Sequence, residues 1–276
     1  MKDMADSVLP PQPRDYAGVN WTGFFTLYLK EVRRFWKVGT QTVMAPVITA
    51  LLYMMVFVVA VKGARPPVGS IPFAQFVGPG LIMMQILNNA FANSSSSLLQ
   101  AKMMGLTPDF MTPPLSAEEQ VAAFMLGAAT RGILVGFVTF VAVAVLAAIA
   151  HTPMTFAHPW AIFYFSIGAS FCLGLLGVFA GLWSEKFDHL AAMTNFIIMP
   201  MTFLSGTFYR VDNLPEPFRS ASHYNPFFYL IDGFRYGFIG HAESNLTVGV
   251  TVTAVLTLGL LAATWGLFKT GYRLKT

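Results

Sequence analysis

Gln85, Asn89 and Asn93 recur every fourth residue, with Asn88 and Ser96 beside them. A helix over this stretch therefore carries amides down one face. Such a face can hold one helix to another or line an aqueous path, and the sequence leaves both open. Turned to lipid, each amide would lack a partner at a cost on the order of several kcal/mol. Asn195, Thr202 and Ser205 offer similar chemistry among Met and Phe. Asp232 and Arg235 stand three residues apart, the spacing of an ion pair along a helix, and such a pair would stabilise its own segment. Asp188-His189 is half of a catalytic dyad, but no serine or cysteine nucleophile accompanies it in a recognisable motif. His151 and His158 lack a further nearby ligand, so no metal site is expected. Cys172 is the only cysteine. It excludes an intrachain disulfide and a cysteine-based metal site, and it reads as packing.

The elements that position these residues are those of a membrane protein. The chain has 276 residues, 55% hydrophobic and 11% charged, with a net charge of +4. Soluble domains carry about 25% charged residues. The modest basic excess fits membrane topology; without a dense basic cluster, no nucleic-acid partner is expected. Residues 1–18 hold three prolines and scattered charges and read as a disordered cytoplasmic tail. From Val19 to Lys37, Trp21, Phe24, Phe25, Tyr28, Val32, Phe35 and Trp36 recur at helical spacing opposite Thr22, Thr26, Lys30, Arg33, Arg34 and Lys37. That pattern predicts an amphipathic helix in the membrane interface, either a plain anchor or a lever for a cytoplasmic partner.

Crossing a hydrocarbon core of about 30 Å takes about 20 apolar residues. Candidate spans run over about 43–61, 71–93, 132–150, 160–183, 190–209 and 248–268. Pro46 and Pro200 are expected to kink their spans. Ser94–Gln120 is the largest polar break. Its glycine and prolines limit it to short helical pieces, and Ser116 with Glu119 forms a capping box that starts the next helix. Arg131 sits at the edge of the third apolar run. It either snorkels to the cytoplasmic interface or makes a buried pairing. Gly177/Gly181 and Ser166/Ser170 are small-residue pairs suited to close helix packing. Before the last span, Leu214-Pro215-Glu216-Pro217 opens one short helical piece, with Glu216 in its first turn. Asn225-Pro226 caps a second, which runs aromatic to Gly240. This is the pattern of a re-entrant helical hairpin.

With both termini inside, eleven basic residues lie on the inner side (Lys2, Arg14, Lys30, Arg33, Arg34, Lys37, Lys102, Lys186, Lys269, Arg273, Lys275). Five lie outside (Lys62, Arg65, Arg210, Arg219, Arg235), with Arg131 at the border, as the positive-inside rule requires. No phosphate-binding loop Gly-x-x-x-x-Gly-Lys-Ser/Thr, no His-Glu-x-x-His and no Gly-x-Ser-x-Gly occurs. Asp and Glu are missing from the middle of the spans, where ion-coupled transporters place them.

Phe203–Tyr209, Leu214-Pro215, Asn225-Pro226 and Asp232-Gly-Phe-Arg-Tyr-Gly-Phe-Ile-Gly240 resemble the C-terminal signature of ABC-2 type transporter permeases. The resemblance extends more weakly over about residues 20–270. Gly105, Met111 and Pro113 to Ser116 look like that family's coupling segment. Many relatives carry an acidic residue about four positions before the glycine, where this chain has Ala101, followed by Lys102.

The resemblance implies an all-α domain over residues 19–270 with six transmembrane helices, the N-terminal amphipathic helix and the re-entrant hairpin. It implies an inner-membrane exporter, not itself an enzyme, with both termini cytoplasmic. Cofactors are none in this chain; ATP and Mg belong to two copies of a separate ATP-binding cassette subunit. A second permease protomer, either another copy of this chain in a homodimer or a close homologue, and membrane lipid complete the partners. Coupling falls to Lys102, Met103, Gly105, Phe110, Met111, Pro113, Pro114 and Leu115, with Trp21, Phe25, Tyr28, Arg33 and Arg34 on the interfacial helix. Gln85, Asn89, Asn93, Asn195, Thr202 and Ser205 are pathway candidates. Phe208, Tyr209, Pro215, Asn225, Pro226, Asp232 and Arg235 form the outer gate. The cargo would be amphipathic: lipid-like, a drug or a glycoconjugate. An ion-coupled secondary transporter, a membrane enzyme using His189 or His223 with Asp188, and a non-transporting assembly or sensor protein are the alternatives.

Overall fold

The computed structural model describes residues 18–56 and 71–273. Among them the regular elements are helices and no strand occurs. The expected disordered tail, the loop with Lys62 and Arg65, and residues 57–61 of the first expected span lie outside the described residues.

Asn20 caps α1 (Trp21–Trp36), its side chain accepting from the Gly23 N–H at 3.0 Å. The chain then bends by 63° into α2 (Gly39–Met55). The covered face of α1 is Leu27, Glu31 and Phe35, while Trp21, Phe25 and Trp36 are exposed. The aromatic stripe is therefore split between the bundle and the outside.

α3 (Phe73–Met103) is the central helix, packed against α5 (Ala117–Ile149), α6 (Pro159–Trp183), α10 (Pro226–Ile239) and α2. It runs ten residues further than the span 71–93 predicts. Ser94–Met103 is helix, not the start of the polar break. The serines are absorbed locally: Ser95 Oγ donates to Phe91 O at 2.8 Å and Ser96 Oγ to Ala92 O at 2.6 Å. α5 has 33 residues, about 50 Å at 1.5 Å per residue. It starts at the Ser116–Glu119 capping box and continues through Arg131 without a break. Gly177 and Gly181 let α6 lie directly on α3: a Cβ at either would stand 2.5 Å from Phe91 O or 2.8 Å from Ser95 O.

Among the described residues three helices, α5, α6 and α11 (Leu246–Thr270), are long and apolar enough to cross a membrane, and the bent pair α1–α2 qualifies as a fourth. α3 is long enough, but its amides and serines lower its hydropathy.

The segment expected as a fifth span, 190–209, is helical only to Phe203 and is interrupted in its regular winding. α7 (Phe187–Met193) passes into a π-helical turn, Thr194–Ile198, then into α8 (Met199–Phe203), and the chain leaves helix there. Pro200 has no N–H to return to the carbonyl four residues back, and the wider turn ahead of it takes up that loss. Before the last helix come α9 (Phe218–Tyr224) and α10. Glu216 precedes α9 instead of lying in its first turn, and its carboxylate accepts from the Ser220 N–H and hydroxyl at 3.3 and 2.6 Å. Asn225 caps α10 through the Phe227 N–H, with Pro226 at its first position, and Gly240 ends it at φ 71°.

Candidate functional site

Three polar assemblies can be built from the residues upward. The first joins α1, the loop after α3 and α5. Glu119 uses one carboxylate oxygen to accept from the Ser116 N–H at 2.8 Å, and the other accepts from the Asn20 N–H. Asn20 Nδ2 donates to Pro114 O at 3.1 Å. Gln120 Nε2 donates to Phe110 O at 3.2 Å and Leu115 O at 3.3 Å. Phe110, within the short α4 (Pro108–Met111), is buried against Phe124. The N-terminus of α1, the loop and the start of α5 thus form one body, with a cleft of about 420 Å³ between Asn20–Lys30 and Asp109–Leu115.

Gly105 sits at φ +68°, a left-handed conformation glycine adopts without strain. Met103, Gly105 and Pro114 are exposed; Met111, Pro113 and Leu115 are half-buried. Lys102 turns away from this surface: its Nζ donates to Leu182 O and Ser184 O, both at 2.7 Å, capping the end of α6. Burial there pushes its pKa below the usual lysine range, with nearby Arg273 adding to the effect.

The second assembly is the amide row. Gln85, Asn89 and Asn93 are buried inside the protomer, and the last two meet arginines of α5 and α1. Arg34 Nη2 donates to Asn93 O at 2.7 Å and Oδ1 at 3.0 Å. Arg131 Nη2 donates to Asn89 Oδ1 at 3.3 Å, a partly buried pairing. Glu31, completely buried, accepts from Ser97 Oγ at 2.7 Å and lies 3.5 Å from Arg34. The half-exposed positions of this part of α3 are the neighbouring row, Asn88, Ala92, Ser96 and Gln100. Tyr28 contributes a hydroxyl 2.9 Å from Thr130 Oγ1, and Arg33 points outward. In the broken segment, Asn195 is exposed. The buried hydroxyls of Thr202 and Ser205 bond their own helix at Ile198 O and Met201 O.

The third assembly lies around α10. Asp232 and Arg235 do not form the expected pair. The Asp232 carboxylate accepts from the Glu243 N–H at 3.0 Å and from the Ser244 N–H and hydroxyl at 2.8 and 2.6 Å. Arg235, fully buried, donates from Nη2 to Gly206 O at 2.6 Å, places Nη1 3.6 Å from Glu243 and lies over the Phe76 ring at 3.9 Å. Both side chains reach segments that only the folded chain brings near. Phe208 and Phe203 stack at 5.2 Å and meet Tyr53 of α2; Tyr209 donates to Phe203 O at 3.1 Å. Pro215 O accepts from Phe218 N–H at 3.0 Å. Asn225 Nδ2 donates to Met201 O and Ser205 Oγ at 2.7 and 2.9 Å, fastening α10 to the end of α8.

Glu31 and Glu243 escape a reading by spacing, since one falls between charged residues and the other in a short loop. The Ser116–Glu119 capping box was the available signal for Glu119; its hold on Asn20 had none. His189 Nδ1 lies 3.3 Å from the Glu185 N–H, and the His223 ring packs edge-on against Phe228 at 5.3 Å. Among the described residues no group of three or more His, Cys, Asp or Glu is placed to hold a metal ion.

Helices long and apolar enough to cross a membrane, packed around an apolar core with three polar assemblies set into it, are consistent with a membrane protein. The chain belongs to the ABC-2 type transporter family, whose model matches residues 22–239. It is 30% identical to the inner membrane transport permease YadH of Escherichia coli K12 over 258 residues, covering 93% of this chain and 98% of that one. The YadH permease of Shigella flexneri matches to the same extent. Membership points to a transport role in place of an enzymatic one, and to association with an ATP-binding subunit.

Proposed function

We propose that this chain is the transmembrane permease subunit of an ATP-driven exporter. It moves an amphipathic molecule, lipid-like, a drug or a glycoconjugate, out of the cytoplasm or the inner leaflet of the inner membrane. The protomer crosses six times with both termini cytoplasmic and works with a second copy and two separate ATP-binding subunits, which hold ATP and Mg. The observation that carries this reading is the Glu119 clamp. It makes α1, the loop over Met103–Leu115 and α5 move as one, so a push on the loop reaches a helix about 50 Å long. The outer hairpin, held by Asn225 and Arg235, is the gate that such a push would open.

The test is purification of the chain from its native membrane together with any ATP-binding subunit that accompanies it. Met104, 62% exposed, and Met111 supply the controls. A stable two-plus-two complex that hydrolyses ATP, and loses it on Met104→Asp or Met111→Asp, is the expected result. Failure of any ATPase to co-purify from native membranes would overturn the reading.

A further inference from the structure

Two guanidinium groups and one carboxylate meet where α1 ends and the apolar run of α5 begins. Arg34 is tied to Asn93 O and Oδ1, to Ser96 Oγ at 3.3 Å and to Glu31 at 3.5 Å. Arg131 has only the neutral Asn89 Oδ1 at 3.3 Å and forms no ion pair among the described residues. One positive charge is therefore uncompensated. Donors are also unfilled: Arg131 Nε, Arg34 Nε and Asn93 Nδ2 are buried without a hydrogen-bond acceptor, and Glu31 Oε2, 3.5 Å from Arg34, is a buried acceptor without a hydrogen-bond donor. A Cβ on Gly127, one turn before Arg131, would lie 2.6 Å from Glu31 Cβ and 3.7 Å from Asn93 Nδ2, so Glu31 shares this neighbourhood with the donors. A buried cation without a counter-charge is costly. Several converging N–H groups of this kind match the oxygens of a phosphate, to which arginine presents a fork.

The unfilled donors themselves are covered, and access is through the edge of the cluster. The Arg34 side chain is 24% exposed, beside the half-exposed row Asn88, Ala92 and Ser96. Arg131 immediately precedes the apolar run, and Arg34 lies in the last turn before the bend into α2; in the six-crossing orientation proposed above this is the level of a leaflet's headgroups. We propose that Arg131 and Arg34, with Asn93, bind the phosphate of an anionic lipid headgroup. The inner leaflet follows from the orientation proposed above; the anion chemistry does not depend on it.

The test uses the full chain alone, without ATP or a partner subunit, so its outcome and that of the export reading are separable. Thermal unfolding is followed in phosphatidylcholine nanodiscs with and without phosphatidylglycerol, and with inorganic phosphate added. Native mass spectrometry counts the retained lipids. Phosphatidylglycerol is expected to raise the midpoint by several degrees and to be retained in preference on the order of tenfold, the worth of one charge-assisted hydrogen bond. Arg131→Gln abolishes both effects; Arg131→Lys, and Arg33→Gln at the exposed neighbour, keep them. An equal effect in Arg131→Gln overturns the proposal, as does a wild-type chain indifferent to phosphatidylglycerol. An equal shift from inorganic phosphate assigns the site to a free anion and overturns the lipid. Should Arg131→Gln not fold, the lipid counts on the unaltered chain and on Arg131→Lys decide.

Discussion

Truncating Arg235 strands a carboxylate. Glu243 is 4% exposed, its Oε1 lies 3.6 Å from Arg235 Nη1 and 3.8 Å from Arg210 Nε, and its Oε2 accepts from the Val211 N–H at 2.9 Å. Burial pushes the Glu243 carboxyl above the usual carboxylate range, and Arg235 opposes that push. Arg235→Met is expected to cost about 3–5 kcal/mol, the penalty of an uncompensated buried charge. The sign of its pH dependence follows. A carboxyl whose folded pKa is raised favours the folded state when protonated, and loses that contribution as pH rises through the raised pKa. The deficit is therefore smaller at about pH 5 than at about pH 8, read by unfolding in detergent at both values. Arg235→Met/Glu243→Gln should recover most of the loss; a deficit independent of pH and of Glu243 would refute the argument. The spacing of Asp232 and Arg235 was legible as two charges on one face of a helix. Their partners were not, because Gly206 and the 243–244 backbone reach them only through the tertiary fold.

At the scale of the helices, the α3–α6 contact makes an opposed pair of predictions. The Cβ of Gly177→Ala would meet backbone, Phe91 O at 2.5 Å, where no side chain can swing aside. The helices must separate, at about 1–3 kcal/mol. Gly266, on α11, has nothing within 4 Å, and Gly266→Ala should be neutral or stabilising by about 0.5–1 kcal/mol. Thermal midpoints of both variants in one detergent check this, and equal shifts would refute the contact. The Gly177/Gly181 spacing announced this packing. The long apolar helices were legible too, since composition alone marks them. The extension of α3 was hidden because Ser94–Ser97 reads as a linker when their burial is unknown. The break at Thr194–Ile198 was hidden because Pro200 announces a kink but not the widened turn that accommodates it. The amide row was legible as polar and internal; that Asn89 and Asn93 meet Arg131 and Arg34, leaving Asn88, Ser96 and Gln100 as the accessible row, depended on how α1 folds back.

For the whole molecule, the sequence pattern and the helices make different demands on the number of crossings. Among the described residues three helices, or four with the bent α1–α2 pair, meet the length and apolarity required. Six crossings additionally need α3, whose polar groups are covered by its neighbours, and the broken α7–α8 segment. Parity distinguishes the cases, because an even number returns the C-terminus to the side of α1. The charge bias argues for that return, with eleven basic residues assigned inside and five outside. Cys172, 2% exposed, can be replaced by alanine to give a cysteine-free background. Single cysteines then go at Ala157, Tyr224, Leu106, Glu185 and Tyr272, all exposed. With six crossings, Ala157→Cys and Tyr224→Cys react with an impermeant maleimide in intact cells. Leu106→Cys, Glu185→Cys and Tyr272→Cys react only after the membrane is opened. Labelling of Tyr272→Cys from outside while Leu106→Cys stays protected would make the crossings between them odd, and the α7–α8 segment would then be a surface element instead of a span.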